Sequence, residues 1–451
     1  MRLNFASKPQ RCLDFASETG RSSKANRKDY RVIATLRQRN FALLWFAGLI
    51  SLAGDWMLRI ALPIFVYQLT GSALATGTMF IAAMLPNLLF SSLAGVFVDR
   101  WDRRRTMVAA NLLMALALLP LLAVRSAGEL WVVYVVAFVE STFEQFFSPA
   151  ESALLPSLVD EAHLVAANSL NSLNNNLARL VGPAIGGLAA ALIGLGGVAA
   201  LDSATFLIAA LLIALISGAA RAERREPAAS TPGGWRSVWR EWLEGLHVIG
   251  QSRALRVIFG LIAIMALGEG VFAVLFVVFV NKILGGGALQ IGWLMSAQAI
   301  GGLAGGVLAG WLGGRVAPAR MIGLGSVLFG LIDLAIFNYP RFYPSILPAI
   351  ALFVAVGVPG VIGRTGMNTV LQLGVSDQFR GRVFATVGLT TALLAMIGTT
   401  LAGSLGDVVG VITVLNIQGL GYVVAGVAAL ALLGSRPISL EAESQIFEPT
   451  A

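Results

Sequence analysis

Four sets of ionisable and polar residues stand inside long apolar stretches of this 451-residue chain, where a charge is costly and marks a site. Asp55 and Arg59 lie four residues apart in the first stretch, one helical turn along the same face. Asp55 is about fifteen residues in, near mid-membrane at ~1.5 Å per residue. Such a pair can neutralise itself in place as a structural ion pair. It can also act as a titratable acid whose proton competes with a cationic group or a substrate for one partner. Glu140 and Glu144 are four apart in the fourth stretch. Two like charges on one face at depth cannot both ionise cheaply, which suits proton coupling or cation binding. Nearer the surface, Glu144 would simply be solvated. Glu269 belongs to the seventh stretch, and Arg364 and Asn368, again four apart, to the tenth. Asp202, Asp333 and Asp407 read as helix-end caps or packing partners, and Glu151, beside Pro149, as structural.

These residues need a membrane scaffold to hold them. The chain is 57% hydrophobic and 12% charged, against ~25% charged in soluble domains. Twelve apolar stretches approach the ~20 residues that a crossing helix needs: 41–67, 73–98, 107–124, 131–149, 165–193, 198–218, 257–281, 291–314, 321–337, 343–367, 383–406 and 411–433. They are too long and too uniformly apolar for barrel strands. The expected fold is all-α and polytopic, with twelve transmembrane helices.

Ten Lys/Arg precede the first span, and Arg100, Arg103, Arg104 and Arg105 separate spans 2 and 3. Seven arginines lie between spans 6 and 7, and Arg315, Arg320, Arg380, Arg382 and Arg436 fall on the same side. The other side holds only Arg125, Lys282 and Arg341. By the positive-inside rule both termini and the middle loop are cytoplasmic. The net charge of +8 is thus a topology signal. Its dispersal over loops argues against nucleic-acid binding. Cys12 is the only cysteine and His163 and His247 the only histidines, which excludes internal disulfides and disfavours a metal site. No cofactor is expected.

The expected organisation is a tail at 1–35, a six-helix half at 36–220, a linker at 221–256, a second half at 257–434 and a tail at 435–451. The first tail has no secretory h-region and reads as disordered. Within the linker, Trp235, Val238, Trp242, Leu243 and Leu246 fall at helical spacing, which predicts an amphipathic helix on the membrane surface. The halves read as diverged repeats. "AGDWM" at 53–57 pairs with "LGEGV" at 267–271, and "LAGVFVDR" at 93–100 with "LAGWLGGR" at 308–315. Parallel repeats with a site between them near the midplane are a transporter plan.

The stretch "LAGVFVDRWDRRRTM" resembles the signature loop of the major facilitator superfamily, with Gly95, Asp99, Arg100, Arg103 and Arg104 at the matching positions. The family usually has glycine where Asp102 stands. In that fold Asp99 would face the dipole at the start of span 11 and latch the halves shut on the cytoplasmic side. The arginines alone would also serve as positive-inside anchors. "ARLVGPAIGGLAA" resembles the exporters' Gly-Pro-x-x-Gly-Gly motif through Gly182, Pro183, Gly186 and Gly187, where proline would kink the helix and glycine permit close packing. An ordinary small-residue interface would look similar. Segments 39–77, 149–172 and 380–385 are similar to bacterial drug and siderophore exporters, including macrolide efflux proteins. That resemblance runs over nearly the whole chain after about residue 36. It implies that spans 1, 4, 7 and 10 line a central cavity, and these spans carry the four sets above. The superfamily's usual arginine in span 4 is missing.

The implied function is a proton-coupled antiporter in the bacterial inner membrane. It would export an amphipathic small molecule, whether drug, macrolide or siderophore, as a monomer in contact with membrane lipids. A lipid or lysophospholipid transporter on the same fold and a non-transporting sensor or scaffold are the alternatives. With no Gly-x-x-x-x-Gly-Lys loop and no catalytic constellation, the chain is not read as an enzyme.

Overall fold

A computed structural model describes residues 34–98, 100–217 and 235–433. Every regular element among them is a helix. They are α1 (Arg39–Thr70), α2 (Ala73–Val98), α3 (Arg103–Leu118, prolonged by a 3₁₀ turn, Leu119–Ala123) and α4 (Leu130–Leu154), then a long helical stretch Leu164–Ala214. There follow α7 (Trp235–Gln251), α8 (Arg253–Lys282), α9 (Ala288–Leu312), α10 (Pro318–Asn338), α11 (Ile346–Leu373), α12 (Asp377–Val408) and α13 (Val411–Leu433). Large apolar side chains such as Leu116, Leu211, Val307 and Val427 are exposed on the outside, which suits lipid.

Eleven elements among the described residues are long and apolar enough to cross a membrane. One of them, Leu164–Ala214, is two passes. Its 51 residues would reach ~77 Å as a straight helix, far beyond the ~30 Å hydrocarbon. Gly194 breaks it with φ 64° and ψ −175°, a conformation that only glycine adopts readily. The packing proves the reversal. Asn174 lies beside Gly48 and Gly186 beside Met57, so this arm runs with α1. Asp202 lies beside Gly54, and Asn40 Nδ2 donates to the Ser217 carbonyl at 2.8 Å, so the next arm runs against it. The arms are α5 (164–193) and α6 (195–214). Twelve passes result, and every arginine-rich turn falls at one end.

The two halves, α1–α6 and α8–α13, meet through bare backbone. A Cβ on Gly292 of α9 would overlap the Pro183 carbonyl of α5, and one on Gly77 of α2 would lie 3.1 Å from the Thr399 carbonyl of α12. These two crossings are related by offsets of 215 and 216 residues, so the sequence repeat is also a structural repeat. Gly187 against Ala288 and Gly403 against Leu74 extend the seams. Beside them one buried cluster joins Ile60, Ile64, Tyr67 and Ala73 to Val274, Phe279, Ala288, Ala402 and Val414. The other buried clusters stay within one half. Among the described residues, these contacts between the halves lie at the end away from the arginines.

α7 is amphipathic and docks on α12. Trp242 Nε1 donates to Thr390 Oγ1 at 3.0 Å, and Arg382 pairs with Glu244 at 3.5 Å. Val248 and Ile249 are buried against the second half, Trp242 of the expected apolar face bonds to α12, and Leu243 is exposed. Trp235 and Val238 have side chains outside the described residues, as do both tails and 218–234.

Candidate functional site

Between the halves lies a cavity of about 1520 Å³, lined from α1, α2, α4, α5, α8, α9, α10, α11, α12 and α13. Its wall is mainly apolar, with Phe80, Phe272, Phe276, Met295 and Phe353 among the larger groups. Asn87, Ser148, Asn176, Arg179 and Phe384 carry it toward the arginine-bearing end. Arg59, Glu140, Glu144, Glu269, Arg364 and Asn368 all reach this wall.

The first-half charges form one electrostatic cluster. Arg59 Nη2 pairs with Glu144 Oε1 at 3.2 Å, across 85 residues, rather than with the expected neighbour Asp55. The helical spacing of Asp55 and Arg59 allows a pair, but the longer reach of the glutamate across the cavity wins. Glu144 is therefore a cavity residue and not a surface one. Both partners are half exposed to the cavity, 55% and 41%. Asp55 stands behind the wall, within electrostatic range of Arg59 and Glu144, and Glu140 is within electrostatic range of Asp55, Glu144 and Arg59.

Asp202 joins this cluster and is no helix cap. It sits within α6, 0% exposed, accepting the Thr205 hydroxyl at 3.0 Å on Oδ1 and leaving Oδ2 without a partner. It fits because Gly54, the residue before Asp55, has no side chain: a Cβ there would overlap both Asp202 and Thr205. The second half repeats the device. A Cβ on Gly268, the residue before Glu269, would overlap the Tyr422 ring of α13. Asp333, read with Asp202 as a helix-end cap or packing partner, lies within α10, 3% exposed and on the cavity wall. Asp407 is exposed near the end of α12. Glu269 and Arg364 form no ion pair with any described residue. Arg179, Gln418 and Tyr422 are the polar groups of the cavity wall that sequence reasoning did not name, and for Arg179 a charge inside an apolar run was the signal.

The signature loop does other work among the described residues. Asp102 caps α3 by accepting the Arg105 amide at 2.8 Å, which settles the turn where the family has glycine. Arg103 Nη1 donates to the Ala153 carbonyl at 2.9 Å, and Arg104 donates to the Ile216 carbonyl. Both arginines thus satisfy free carbonyls at the ends of α4 and α6, within their own half. Arg100 is exposed, Asp99 lies outside the described residues, and the surroundings of Gly95 are likewise outside them. Gly182, Pro183, Gly186 and Gly187 are all buried, the first against Trp56, the third against Met57 and the last at the seam with α9.

The chain is 32% identical over 423 residues to the multidrug efflux pump Tap of Mycobacterium tuberculosis, covering 90% of this chain and 96% of that one. It is 27% identical over 382 residues to macrolide efflux protein A of Streptococcus pyogenes, covering 82% and 90%. In fold it is similar to a bacterial homologue of the iron transporter ferroportin in an inward-facing state, with TM-score 0.69 and 15% identity over 88% of this chain and 99% of that one. The family model described as transmembrane secretion effector matches residues 31–446, and with that match over nearly its whole length the chain belongs to this family of major facilitator transporters.

Proposed function

We propose that this transporter is a proton-coupled antiporter of the bacterial inner membrane that exports amphipathic small molecules. The observation that carries the reading is the Arg59–Glu144 ion pair at the cavity wall, with the acids Asp55 and Glu140 within electrostatic range of it. With the arginine-bearing end cytoplasmic by the positive-inside rule, the cavity reaches toward the cytoplasm. A substrate enters there. The carboxylates of Asp55 and Glu140, beside the Arg59–Glu144 pair, exchange protons for a cationic group. A cavity of about 1520 Å³ exceeds the ~300–1,000 Å³ of ordinary drug pockets and leaves room for a macrocycle. Its apolar wall with charges of both signs suits an amphiphile. The names of the relatives, macrolide efflux protein and multidrug efflux pump, support the same class. Small changes at the seams would let the halves rock and open the cavity at the other end.

The test is accumulation of a macrolide and of a cationic dye in a pump-deficient bacterium. Wild type is compared with Asp55→Asn and Glu140→Gln at matched expression, with and without a protonophore. Lower accumulation in wild type, abolished by the protonophore and by at least one substitution, is the expected result. Export that survives both the protonophore and the two substitutions would sink proton coupling through this cluster.

A further inference from the structure

Away from the Arg59 cluster, in the second half, three buried polar side chains lie near the crossing of α10 and α13. The helices touch there: a Cβ on Gly330 would meet the Gly419 backbone and Val423, and Leu334 packs on Gly419. Asp333 of α10 is 3% exposed and Gln418 of α13 is 8% exposed, and both contribute to the cavity wall. Gln418 Nε2 donates to the Tyr422 hydroxyl at 3.3 Å, and that hydroxyl donates onward to the Met265 carbonyl of α8 at 3.5 Å. With the tyrosine's one proton on the Met265 carbonyl, the hydroxyl accepts from the Gln418 amide. Asp333 Oδ2 and Gln418 Oε1 are then buried acceptors with no hydrogen-bond partner among the described residues.

The charges around the group do not fill that need. α8 brings Glu269, which acts electrostatically on Tyr422 as Asp333 does. α11 brings Arg364, which forms no ion pair with Asp333. α13 brings Tyr422 and the neutral Gln418. An ionised carboxylate without a donor or counter-charge is among the most expensive things to bury. Oxygen acceptors that lack donors are instead the natural ligands of a proton or a hard cation.

We propose that Asp333, with Gln418 and Tyr422, forms a second small-cation site on the cavity wall, taking a proton or a sodium ion independently of the Arg59 cluster. A proton would sit on Asp333, whose acid hydroxyl then supplies the missing donor. A sodium ion would take the same oxygens as ligands. In either case the second half would carry its own cation, reached from the cavity and released to it.

Infrared difference spectroscopy of the purified full chain in lipid nanodiscs tests this without any transport step. One arm raises the pH from mildly acidic to alkaline in choline. The other replaces choline by sodium at alkaline pH. A proton site gives a protonated-carboxyl C=O band that disappears with rising pH, is missing from Asp333→Asn and persists in Asp55→Asn. Gln418→Leu keeps the band and shifts its frequency. A sodium site gives a carboxylate change on sodium addition that Asp333→Asn loses. Wild-type and Asp333→Asn spectra that match in both arms overturn the proposal. So does an Asp333 band that ignores both pH and sodium, because the carboxyl is then only a neutral packing group. Failure of export by the Asp55 and Glu140 route leaves this test unchanged.

Discussion

Arg59 and Glu144 hold each other across the cavity while half exposed to it, so their attraction is screened and worth ~1 kcal/mol at most. Glu144→Gln is therefore expected to leave the melting temperature of the detergent-solubilised protein almost unchanged while export falls. A large loss of stability would instead make the pair structural. Gly54 is the stricter position. Gly54→Ala forces a methyl into Asp202 and Thr205 and should cost ~1–3 kcal/mol, the range of overpacking. Gly48→Ala, whose methyl would lie 3.4 Å from Asn174 Nδ2 and 3.5 Å from Glu151 Oε1, is the matched control and should melt near wild type. Asp55, Glu140 and Glu269 were legible in the sequence because a lone acid in an apolar run stands out. Arg59's true partner was not, because 85 residues separate it from Glu144. Asp202 and Asp333 stood out too, but sequence does not tell a helix end from a helix middle when the flanking residues are equally apolar. Gln418 and Tyr422 carry no formal charge and gave no signal.

At the level of elements, the glycine at the turn of the longest one is decisive. Gly194→Ala must adopt a backbone that L side chains avoid, with a cost of about 1–3 kcal/mol, although nothing lies within 4 Å of the new methyl. Gly260→Ala, equally uncrowded but within α8, should be neutral or stabilising by up to ~1 kcal/mol. Thermal melts of the two variants separate strain from crowding. Sequence patterning located all twelve apolar passes. It did not foresee that α5 and α6 would turn on a single residue, since Gly194 is one of 50 glycines. The linker helix shows the same limit. Its periodicity was readable, yet the face it covers is chosen by α12. Trp242→Phe removes the bond to Thr390 and should cost about 1 kcal/mol. That would be seen as roughly fivefold faster hydrogen exchange in the amides of α7.

For the whole molecule, rocking requires the glycine seams to part. In a Cys12→Ser background, Gly77→Cys with Thr399→Cys would tie α2 to α12 at a crossing where the added Cβ lies 3.6 Å from Thr399 Cγ2. Oxidation should abolish export and leave dye binding from the open side intact, and reduction should restore export. Undiminished export by the oxidised protein would exclude opening at this seam. Gly77, Pro183, Gly187, Gly292, Thr399 and Gly403 make the seams, and none of them lines the cavity. That separation bears on ancestry. If the halves turn on these seams as proposed, substitutions that re-line the chamber leave the seam backbone untouched, and a lineage could exchange one cargo for another while keeping the same crossings.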